Sequence, residues 1–568
     1  MKSIFYTSVL LMSVWPRYAC GWGAGHDPMT DLAMERLPGS LASFLPAEAK
    51  ASAVRWSHAP DDFTPWKDYE QKKGVRIGDD DLRLLAQSGL KTPYSLHSPK
   101  GQAVNVLLLI NSMRRKEPQA CAFWMACLLH TFCDEAACNH DPLIHYMTYA
   151  FRGGYGMTFP GPGHLDVGDL CRSKEGRALV WKIADQLDVS APATDRVLLD
   201  TMLHGYHANE FMTQRGTRVA QGFSADASAE AIQDSYHALA ELGAYGVLST
   251  LGVIEAAWQC AQEGRSPELT KGVLEAFRVE KDAYLAARPL AADSLYTGLL
   301  TEAASMEKPA IGVALETSRR MNEAFLGFGG KLISAATMRH LRHRGIPFRG
   351  VDVRDLAKEA PDPHLLPVLF ICSGRLGHSG LVRSLAAYRE RGGRILMVGG
   401  AHKGCLGELS EALVEADPAV LPVSAKYGRN NEKIIEHLSV AFEGPFAEAL
   451  GTVERRFLHN PDTKAGWQKP LCRSRLAESH GADVRPLAAI RLHGKSYSVA
   501  AMRLDGDNNP NAVFLPEYLV APYLLTDSPS FENPAKPALD EVGKGIVDTS
   551  LALLAPALTG QAGSVGGQ

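Results

Sequence analysis

Three potential metal ligands, His130, Asp134 and His140, lie close together in one apolar segment of the chain. His130 and Asp134 are four residues apart, so on a helix of about 3.6 residues per turn they project from one face and can hold one metal ion together. His140 follows His130 by ten residues, and on an ideal helix this rotates it by roughly 80° towards a neighbouring ion. The spacing therefore predicts one helix that contributes ligands to two metal sites.

Three segments nearer the N-terminus offer further ligands. His26 closely follows Trp22, whose α-amine, with a pKa near ~8, would chelate a metal ion if processing made it the first residue. A turn-like segment offers a carboxylate from either Asp61 or Asp62, and His97 lies in a Ser-Leu-His sequence just before a long helical stretch. Nitrogen and oxygen ligands of these types are the ones that zinc accepts.

The N-terminal residues have the features of a secretory signal. A lysine and an apolar stretch come first, and Ala19 and Gly21 suit the −3 and −1 positions of a cleavage site. We therefore predict that residues 1–21 are a signal peptide, that cleavage exposes an N-terminal tryptophan, and that the protein is secreted or periplasmic. A lipid anchor on Cys20 is the alternative prediction, but Arg17 occupies a position that is apolar in such signals.

These motifs resemble those of the zinc-dependent phospholipase C and single-strand-specific nuclease superfamily. Its mature chains begin with Trp and carry a nearby His, a turn Asp, a His in a similar Ser-Leu-His context and the same His-x3-Asp-x5-His run. The resemblance covers roughly residues 22–215 and implies a helical hydrolase domain with two or three zinc ions, Zn(2+). The ligands implied for the first zinc are Asp61, His97, His130 and Asp134, and those implied for the second are Trp22 and His26, with Asp134 as the bridge.

A third zinc site would begin at His140, and the family completes it with a His and a carboxylate one helical turn apart. His207 and Glu210 are the favoured pair here, although they are three residues apart and the family spacing is four. The other candidates are His204, which no carboxylate follows four residues later, and His164, which lies in an apparent loop. The resemblance therefore leaves the number of ions at two or three.

The resemblance implies phosphodiester hydrolysis by a metal-bound hydroxide, because zinc lowers the pKa of a bound water to ~7. Two bridged ions would also neutralise the charge of the phosphoryl group. Asp61 is the predicted catalytic residue, which would orient the nucleophile or act as its general base. A catalytically impaired, zinc-stabilised binding protein is the rival prediction from another functional class.

The predicted substrate is a phospholipid head group, reached by contact with a membrane surface. The Pro-Asp-Asp-Phe segment at residues 60–63 looks more like the phospholipase-type members than like the Trp-Ala-Asp of the nucleases. A nucleotide or single-stranded nucleic acid is the alternative, although the net charge of −4 gives no support to a general affinity for phosphates. Nucleases need an aromatic platform on which a base stacks, and the candidates are Phe63, Trp66, Tyr69 and Tyr94.

The chain of 568 residues is too long for one ordinary hydrophobic core. Residues 22–300 are predicted to form a mainly α domain, with helices at Gly101–Arg114, Ala120–Cys133 and Gln233–Gly264. The charged stretch Lys67–Lys91 is predicted to be a solvated loop. Four cysteines of the domain cluster, and either disulfides of an exported protein or buried apolar residues of a helix explain them: Cys121, Cys127, Cys133 and Cys138.

Strands and helices alternate from residue 310 onwards. This alternation predicts a doubly wound α/β domain over residues 310–530, because it favours parallel strands joined by helical crossovers. The predicted strands of this alternating part are Ala310–Leu315, Ile346–Val353, Val368–Cys372 and Arg394–Val398. The predicted helices are Leu332–Arg344 and Leu381–Arg391. Antiparallel strands are predicted to extend the sheet at Leu487–Leu492, Tyr497–Leu504 and Val513–Leu524. Residues 531–568 are predicted to hold a C-terminal helix and a disordered Gly-rich tail. The predicted fold class is thus multidomain, with a mainly α zinc-hydrolase domain followed by an α/β doubly wound domain.

The second domain resembles the glutamine-amidotransferase-like, flavodoxin-type fold, on the segments Leu366–Cys372 and Ala387–Val398. Catalytic members of that fold place a Cys on the tight turn after a strand, whereas the turn at residues 399–402 here carries no nucleophile. Cys372 and Cys405 are the nearby thiols, and a strand-end core residue and a helix residue are their simpler interpretations. The domain is therefore predicted to bind carbohydrate or to mediate self-association, and a hydrolase centred on either thiol is the rival.

Overall fold

The computed structural model describes eleven segments of the chain. These are residues 25–137, 170–222, 227–293, 295–300, 308–316, 327–372, 379–399, 437–456, 482–492, 495–520 and 535–560. A mainly helical N-terminal region is followed by a mixed parallel and antiparallel sheet with its helices. The predicted fold class is thereby confirmed. The predicted signal peptide and the Gly-rich end of the tail lie outside the described residues.

The helical region contains eleven described α-helices. They are α1 His26–Glu35, α2 Gly39–Phe44, α3 Ala47–Trp56, α4 Trp66–Lys73, α5 Asp79–Gln87, α6 Pro99–Arg114, α7 Pro118–Ala137, α8 Lys174–Ala184, α9 Val197–Gln221, α10 Ala229–Gln262 and α11 Lys271–Ala286. Short 3-10 turns occupy Ala59–Asp61, Pro93–His97 and Leu290–Ala292. The three helices predicted from sequence correspond to α6, α7 and α10, each within four residues of its predicted ends.

Helix α7 is the centre of this region. Apolar side chains occur on every face of it, and it is buried along almost its whole length, with α3, α6, α9 and α10 packed around it. Helix α10 is long and apolar enough to cross a membrane by length and composition, but 67% of its most apolar window is buried within the protein. It packs on α7 and α9 as a core helix does.

The turn that carries His97 is held against the start of α6. Ser98 caps this helix, because its hydroxyl oxygen accepts a hydrogen bond from the Gly101 amide at 3.0 Å. The backbone of the turn comes so close that a Cβ on Gly101 would lie 2.2 Å from the Ser95 carbonyl oxygen. Only glycine allows this approach, which fixes His97 relative to α6.

The predicted solvated loop at Lys67–Lys91 is wrong, because this stretch contains α4 and α5. Both helices are amphipathic, and they bury Tyr69 and Leu85 to 3% and 1% exposure. Asp81 is itself buried and pairs with the more exposed Arg115, whose terminal nitrogen lies 2.9 Å from the carboxylate. Most of the charges that predicted a loop therefore lie on the outer faces of two short helices.

The cysteines of α7 are buried thiols. Cys121, Cys127 and Cys133 are free, as are Cys171, Cys260 and Cys372, and all six are buried. Six-residue steps along one helix keep the three α7 sulfurs too far apart to bond to one another. For these three the apolar-core interpretation is confirmed, whereas Cys138 lies outside the described residues.

In the described residues, the α/β region is built on one nine-stranded sheet. Its strands are β1 Ile311–Leu315, β2 Phe348–Asp352, β3 Val368–Cys372, β4 Arg394–Val398, β5 His437–Phe442, β6 Thr452–Arg456, β7 Val484–Leu492, β8 Lys495–Leu504 and β9 Pro510–Leu515. Their order is β2-β1-β3-β4-β9-β8-β7-β5-β6. The described helices are α12 Gly327–His343, α13 Val353–Leu356, α14 Ser379–Glu390, α15 Pro445–Leu450, α16 Glu517–Val520, α17 Glu541–Leu554 and α18 Pro556–Thr559.

The four strands predicted first are parallel, as expected, and α12 and α14 are the two predicted crossover helices. Strands β7 and β8 are antiparallel, which confirms that part of the prediction. The last predicted strand is different, because β9 ends at Leu515 and pairs parallel with β4 on one side and antiparallel with β8 on the other. It therefore joins the two halves of the sheet.

The helical and α/β regions share one contiguous buried core. Tyr296 and Leu299 lie in the connection between them, at 0% and 3% exposure, and belong to the same hydrophobic cluster as both regions. Lys331 of α12 makes a buried ion pair with Asp293 of the connection. Arg342 donates a hydrogen bond to the Leu299 carbonyl oxygen at 2.7 Å.

Candidate metal centre

Five of the residues predicted as metal ligands converge in the middle of the helical region. His26 begins α1, Asp61 ends one 3-10 turn, His97 ends another, and His130 and Asp134 face inwards from α7. Their ligand atoms form two groups. The first is Asp61 with His97 and His130, the second is His26 with His130 and Asp134, and in each group the ligand atoms all lie within 4.8 Å of one another. The structure thus contains two His/Asp groups that could hold metal ions.

The first group brings together atoms at the separations of neighbouring metal ligands. The Nε2 atoms of His97 and His130 are 3.1 Å apart. The Asp61 Oδ1 atom lies 3.7 Å from the Nε2 of His97 and 3.5 Å from that of His130. A tetrahedral ion with ligands at ~2.0–2.1 Å separates neighbouring ligand atoms by about 3.3 Å. All three distances are close to that value.

The hydrogen bonds behind the two imidazoles determine which nitrogen faces inwards. His130 Nδ1 donates to the Ser57 carbonyl oxygen at 2.6 Å, and His97 Nδ1 donates to the Tyr94 carbonyl oxygen at 3.0 Å. Because a carbonyl only accepts, both Nδ1 atoms carry the proton, and both Nε2 atoms are turned towards each other. A metal ion placed between them could take a lone pair from each Nε2 atom, and a proton on one Nε2 could be donated to the other.

The second group is centred on Asp134. Its Oδ1 atom lies 3.3 Å from His26 Nε2, while its Oδ2 atom lies 3.5 Å from His97 Nε2 and 3.7 Å from His130 Nε2. The His26 ring stacks on the His130 ring with centroids 3.7 Å apart. One carboxylate therefore presents one oxygen to each side of the centre.

Burial and neighbouring charges set the protonation of these groups. Burial, followed by the positive charge of His130, lowers the pKa of His26 to about 4. Burial alone would raise the pKa of Asp134, but the charges of His26 and His130 outweigh it and hold that pKa well below the usual range. His130 has a raised pKa, because Asp61 and Asp134 outweigh its burial. At neutral pH His26 is thus neutral and Asp134 ionised, the states in which each can bind a metal ion, whereas the raised pKa of His130 means that a metal ion bound there has to displace a proton.

The structure distinguishes between the two neighbouring aspartates. Asp62 turns away from the histidines, since its Oδ2 pairs with Lys73 Nζ at 2.6 Å and its Oδ1 accepts from the Thr64 amide at 2.7 Å. The hydrogen bonds from Lys73 and Thr64 outweigh the effect of burial and lower the pKa of Asp62. Asp61 is the carboxylate that faces His97 and His130.

His207 and Glu210 face α11. The His207 ring stacks on Tyr284 with centroids 4.7 Å apart. Glu210 pairs with Arg288 and accepts a hydrogen bond from the Tyr284 hydroxyl at 2.8 Å. His204 is buried and stacks on Phe132 of α7.

The remaining predicted ligands cannot be placed beside these residues. Trp22, His140 and His164 lie outside the described part of the chain. The third metal site and the ligation by an N-terminal amine therefore stay predictions.

Two of the four aromatic candidates lie beside the centre. Phe63 is 59% exposed and stacks on Tyr94 with centroids 4.5 Å apart, and Tyr94 in turn contacts the His97 ring at 4.9 Å. Trp66 and Tyr69 are 5% and 3% exposed, because they pack into the core. Neither of these two is available as a surface platform.

Comparisons of the chain with protein-family models, with curated proteins and with solved structures give no match.

One of the two candidate thiols of the α/β region lies in the described residues. Cys372 ends β3 and is 1% exposed, in the hydrophobic core. Cys405 lies outside the described residues.

Proposed function

We propose that the protein is a zinc-dependent phosphodiester hydrolase of the phospholipase C type. The observation that carries the proposal is the pair of Nε2 atoms of His97 and His130, 3.1 Å apart, with each ring held by a backbone carbonyl behind it. Asp61 completes one group, and Asp134 lies between both groups. The motifs that resemble the phospholipase C and nuclease superfamily supply four of these ligands in the family order.

The ligand set fits zinc. It consists of imidazole nitrogens and carboxylate oxygens without a thiolate, at the separations of a tetrahedral site. A carboxylate that faces both groups suits two ions held side by side. Two histidines and one carboxylate also suit iron, and metal analysis distinguishes the two ions.

Zinc bound there would lower the pKa of a coordinated water towards neutrality and neutralise negative charge on a phosphoryl group. Asp61 and Asp134 differ in access to solvent, with side-chain exposures of 11% and 4%. We assign Asp61 to orient the attacking water and accept its proton, and Asp134 to hold the metals. Ser57 and Tyr94 keep the Nδ1 protons in place, so that the Nε2 atoms remain ligands.

For the substrate we propose a phospholipid head group, on the basis of the Pro-Asp-Asp-Phe segment. The stack of Phe63 on Tyr94 provides an exposed aromatic wall that leads to His97. A nucleotide remains the second candidate, because the same wall suits a base. Export, contact with a membrane surface, and binding of carbohydrate or self-association through the α/β region belong to the same proposal.

Metal analysis and turnover of the processed full-length protein test the proposal. We expect two or three zinc ions per chain and chelator-sensitive hydrolysis of short-chain phosphatidylcholine. Single-stranded DNA and a 3′-nucleotide serve as the competing substrates, and their faster hydrolysis would reassign the substrate. His130→Ala should abolish turnover, whereas His364→Ala, at an exposed histidine of the α/β region, should not change it.

Each alternative has its own signature in this experiment. Bound zinc without turnover of any phosphodiester would support the zinc-stabilised binding protein. Iron in place of zinc would contradict the proposed chemistry. Turnover that survives His130→Ala and is lost in Cys372→Ala or Cys405→Ala would move the activity to the α/β region.

The wall made by Phe63 and Tyr94 can be tested separately. Phe63→Ala should raise KM for the lipid substrate, because an exposed apolar contact is lost, and should change stability by no more than about 0.5 kcal/mol. Trp66→Ala is the contrast, since it empties a core position and should cost about 3–5 kcal/mol. An unchanged KM in Phe63→Ala for every substrate would remove the wall from the proposal.

A further inference from the structure

A cluster of polar side chains lies directly behind the two metal groups. Asp27 of α1 accepts a hydrogen bond from the Ser57 hydroxyl at 2.6 Å, and the same Oδ1 atom lies 2.9 Å from His58 Nε2. We call Asp27, Ser57 and His58 the Asp27 clamp. None of the three belongs to the predicted ligand set.

The clamp connects the elements that carry the ligands of both groups. Asp27 follows His26 directly in the first turn of α1. Ser57 is fully buried, and its carbonyl oxygen accepts the Nδ1 proton of His130 at 2.6 Å. Two hydrogen bonds through one serine therefore join the start of α1 to the imidazole of α7.

His58 extends the connection to the remaining carboxylate. Its carbonyl oxygen accepts a hydrogen bond from the Asp61 amide at 3.2 Å, so it begins the 3-10 turn on which Asp61 sits. Its ring meets the His26 ring edge to face, with centroids 5.5 Å apart. The clamp thus reaches His26 on one side of the centre, and His130 and Asp61 on the other.

We infer that Asp27 is a positioning residue that sets the spacing between the two metal groups. This inference rests on the metal-binding part of the proposed function. The Asp27 side chain contacts Ser57 and His58. It does not cap its own helix, because α1 has no side-chain cap at its start. A partner behind a metal-bound imidazole typically affects metal affinity by 10–100-fold on mutation. Asp27 lies one hydrogen bond further from the metal than such a partner, because it acts through Ser57, and it acts on both groups at once.

The test uses Asp27→Ala and Ser57→Ala in the processed full-length protein. Ser57→Ala removes the hydroxyl and keeps the carbonyl that holds His130. Zinc affinity is measured by competition with a chromophoric chelator, and the geometry of the sites is read from the visible absorption of the cobalt-substituted protein. We expect each variant to weaken zinc binding by about 10-fold or more and to change the cobalt spectrum.

A double variant distinguishes the clamp from two independent effects. If Asp27 and Ser57 act through their shared hydrogen bond, Asp27→Ala/Ser57→Ala should bind zinc no more weakly than the worse single variant. Asp27→Asn retains an acceptor oxygen for Ser57 and should recover part of the affinity. Asp31→Ala is the matched control, because Asp31 lies one turn further along α1 and pairs with Arg177 on the surface.

The outcomes separate this inference from the proposed function. Wild-type affinities and an unchanged cobalt spectrum in both Asp27→Ala and Ser57→Ala would overturn the clamp while leaving the metal centre intact. If the wild-type protein binds no metal, both are overturned. Should Asp27→Ala fail to fold, Ser57→Ala and Asp27→Asn decide. Ser57→Ala keeps the backbone carbonyl that holds His130, and Asp27→Asn keeps an acceptor oxygen for the Ser57 hydroxyl. An equal loss of affinity in Asp31→Ala would show only general damage to α1 and would also overturn the inference.

Discussion

The centre depends on the orientation of two imidazole rings. His97 and His130 each donate a proton from Nδ1 to a backbone carbonyl, so that both Nε2 atoms face the same point. Without these bonds either ring could rotate or adopt the other tautomer, and the site would lose a ligand. The position of two protons therefore matters as much as the identity of the side chains.

Neighbouring aspartates give the first prediction at this scale. Asp61→Asn should lower kcat by about 10²–10⁴-fold, because the carboxylate that faces His97 and His130 loses its charge and its basicity. Asp62→Asn should leave turnover unchanged and cost only about 0–1 kcal/mol of stability, since it loses the partly exposed pair with Lys73. Steady-state kinetics and urea unfolding of both variants check this. Equal losses of kcat would mean that the two aspartates share the role.

The candidate ligands could be predicted from sequence, but the groups that hold them in place could not. His130 and Asp134 have a helical spacing that reveals a shared face, and His97 precedes a recognisable helix. Ser57 and Tyr94 act through their carbonyl oxygens, which every residue has, so no pattern of residue types identifies them.

Helix α7 carries two of the candidate ligands and is buried along almost its whole length. The other ligands come from 3-10 turns and from the first turn of α1, which are held against α7 by packing. The geometry of the centre therefore depends on how closely the short elements can approach the central helices.

Gly101 controls one such approach. Gly101→Ala would place a methyl group about 2.2 Å from the Ser95 carbonyl oxygen, so the turn with His97 must move. We expect a loss of about 1–3 kcal/mol of stability and weaker zinc binding. Gly272→Ala is the control, because its added Cβ would meet only the Thr270 hydroxyl oxygen at 3.6 Å within α11. Urea unfolding with and without zinc measures both effects, and unchanged zinc affinity in Gly101→Ala would contradict the role of this contact.

Helices α9 and α10 are joined by a carboxylate whose charge can be titrated. Glu241 of α10 accepts hydrogen bonds from Arg218 at 2.9 Å and from Arg215 of α9. Burial would raise the pKa of Glu241, but these two arginines outweigh it and lower that pKa below its ordinary value of 4.5. The ionised form is thus stabilised by folding.

The sign of the pH dependence follows from this lowered pKa. Glu241 stabilises the fold fully above pH 4.5, and its contribution is lost as the pH falls through the folded-state pKa. Glu241→Gln should therefore cost about 1–3 kcal/mol at pH ~7 and much less at pH ~3. Urea unfolding of wild type and variant in the presence of a chelator checks this. A difference that stayed constant down to the lower pH would exclude the charge as its origin.

Elements whose apolar residues follow a clear pattern along the chain were predicted correctly, and those with a mixed pattern were not. Helices α6, α7 and α10 and strands β1 to β4 are long apolar or regularly patterned segments, so their sequences determine them locally. Helices α4 and α5 are rich in charge, and their few apolar residues are fixed only by the core they contact. The direction of β9 depends on its two neighbours, which no local pattern encodes.

On the scale of the whole molecule, the helical and α/β regions are connected through buried residues. One hydrophobic cluster runs from α7 through Tyr296 and Leu299 to the sheet. Lys331 and Asp293 add an ion pair at this junction, with side-chain exposures of 5% and 2%. A charge buried so deeply is costly unless its partner is present.

Removing one member of this pair should therefore destabilise the whole chain. Lys331→Met leaves the Asp293 carboxylate without its ammonium partner and should cost about 3–5 kcal/mol, whereas Lys331→Met/Asp293→Leu should recover much of that loss because no buried charge remains. Thermal unfolding followed by calorimetry and by zinc release measures whether the regions unfold together. We expect a single transition in the wild type that shifts down in Lys331→Met, with zinc released at the same temperature. If the α/β region alone shifted while zinc stayed bound, the shared core would not couple the sheet to the metal centre.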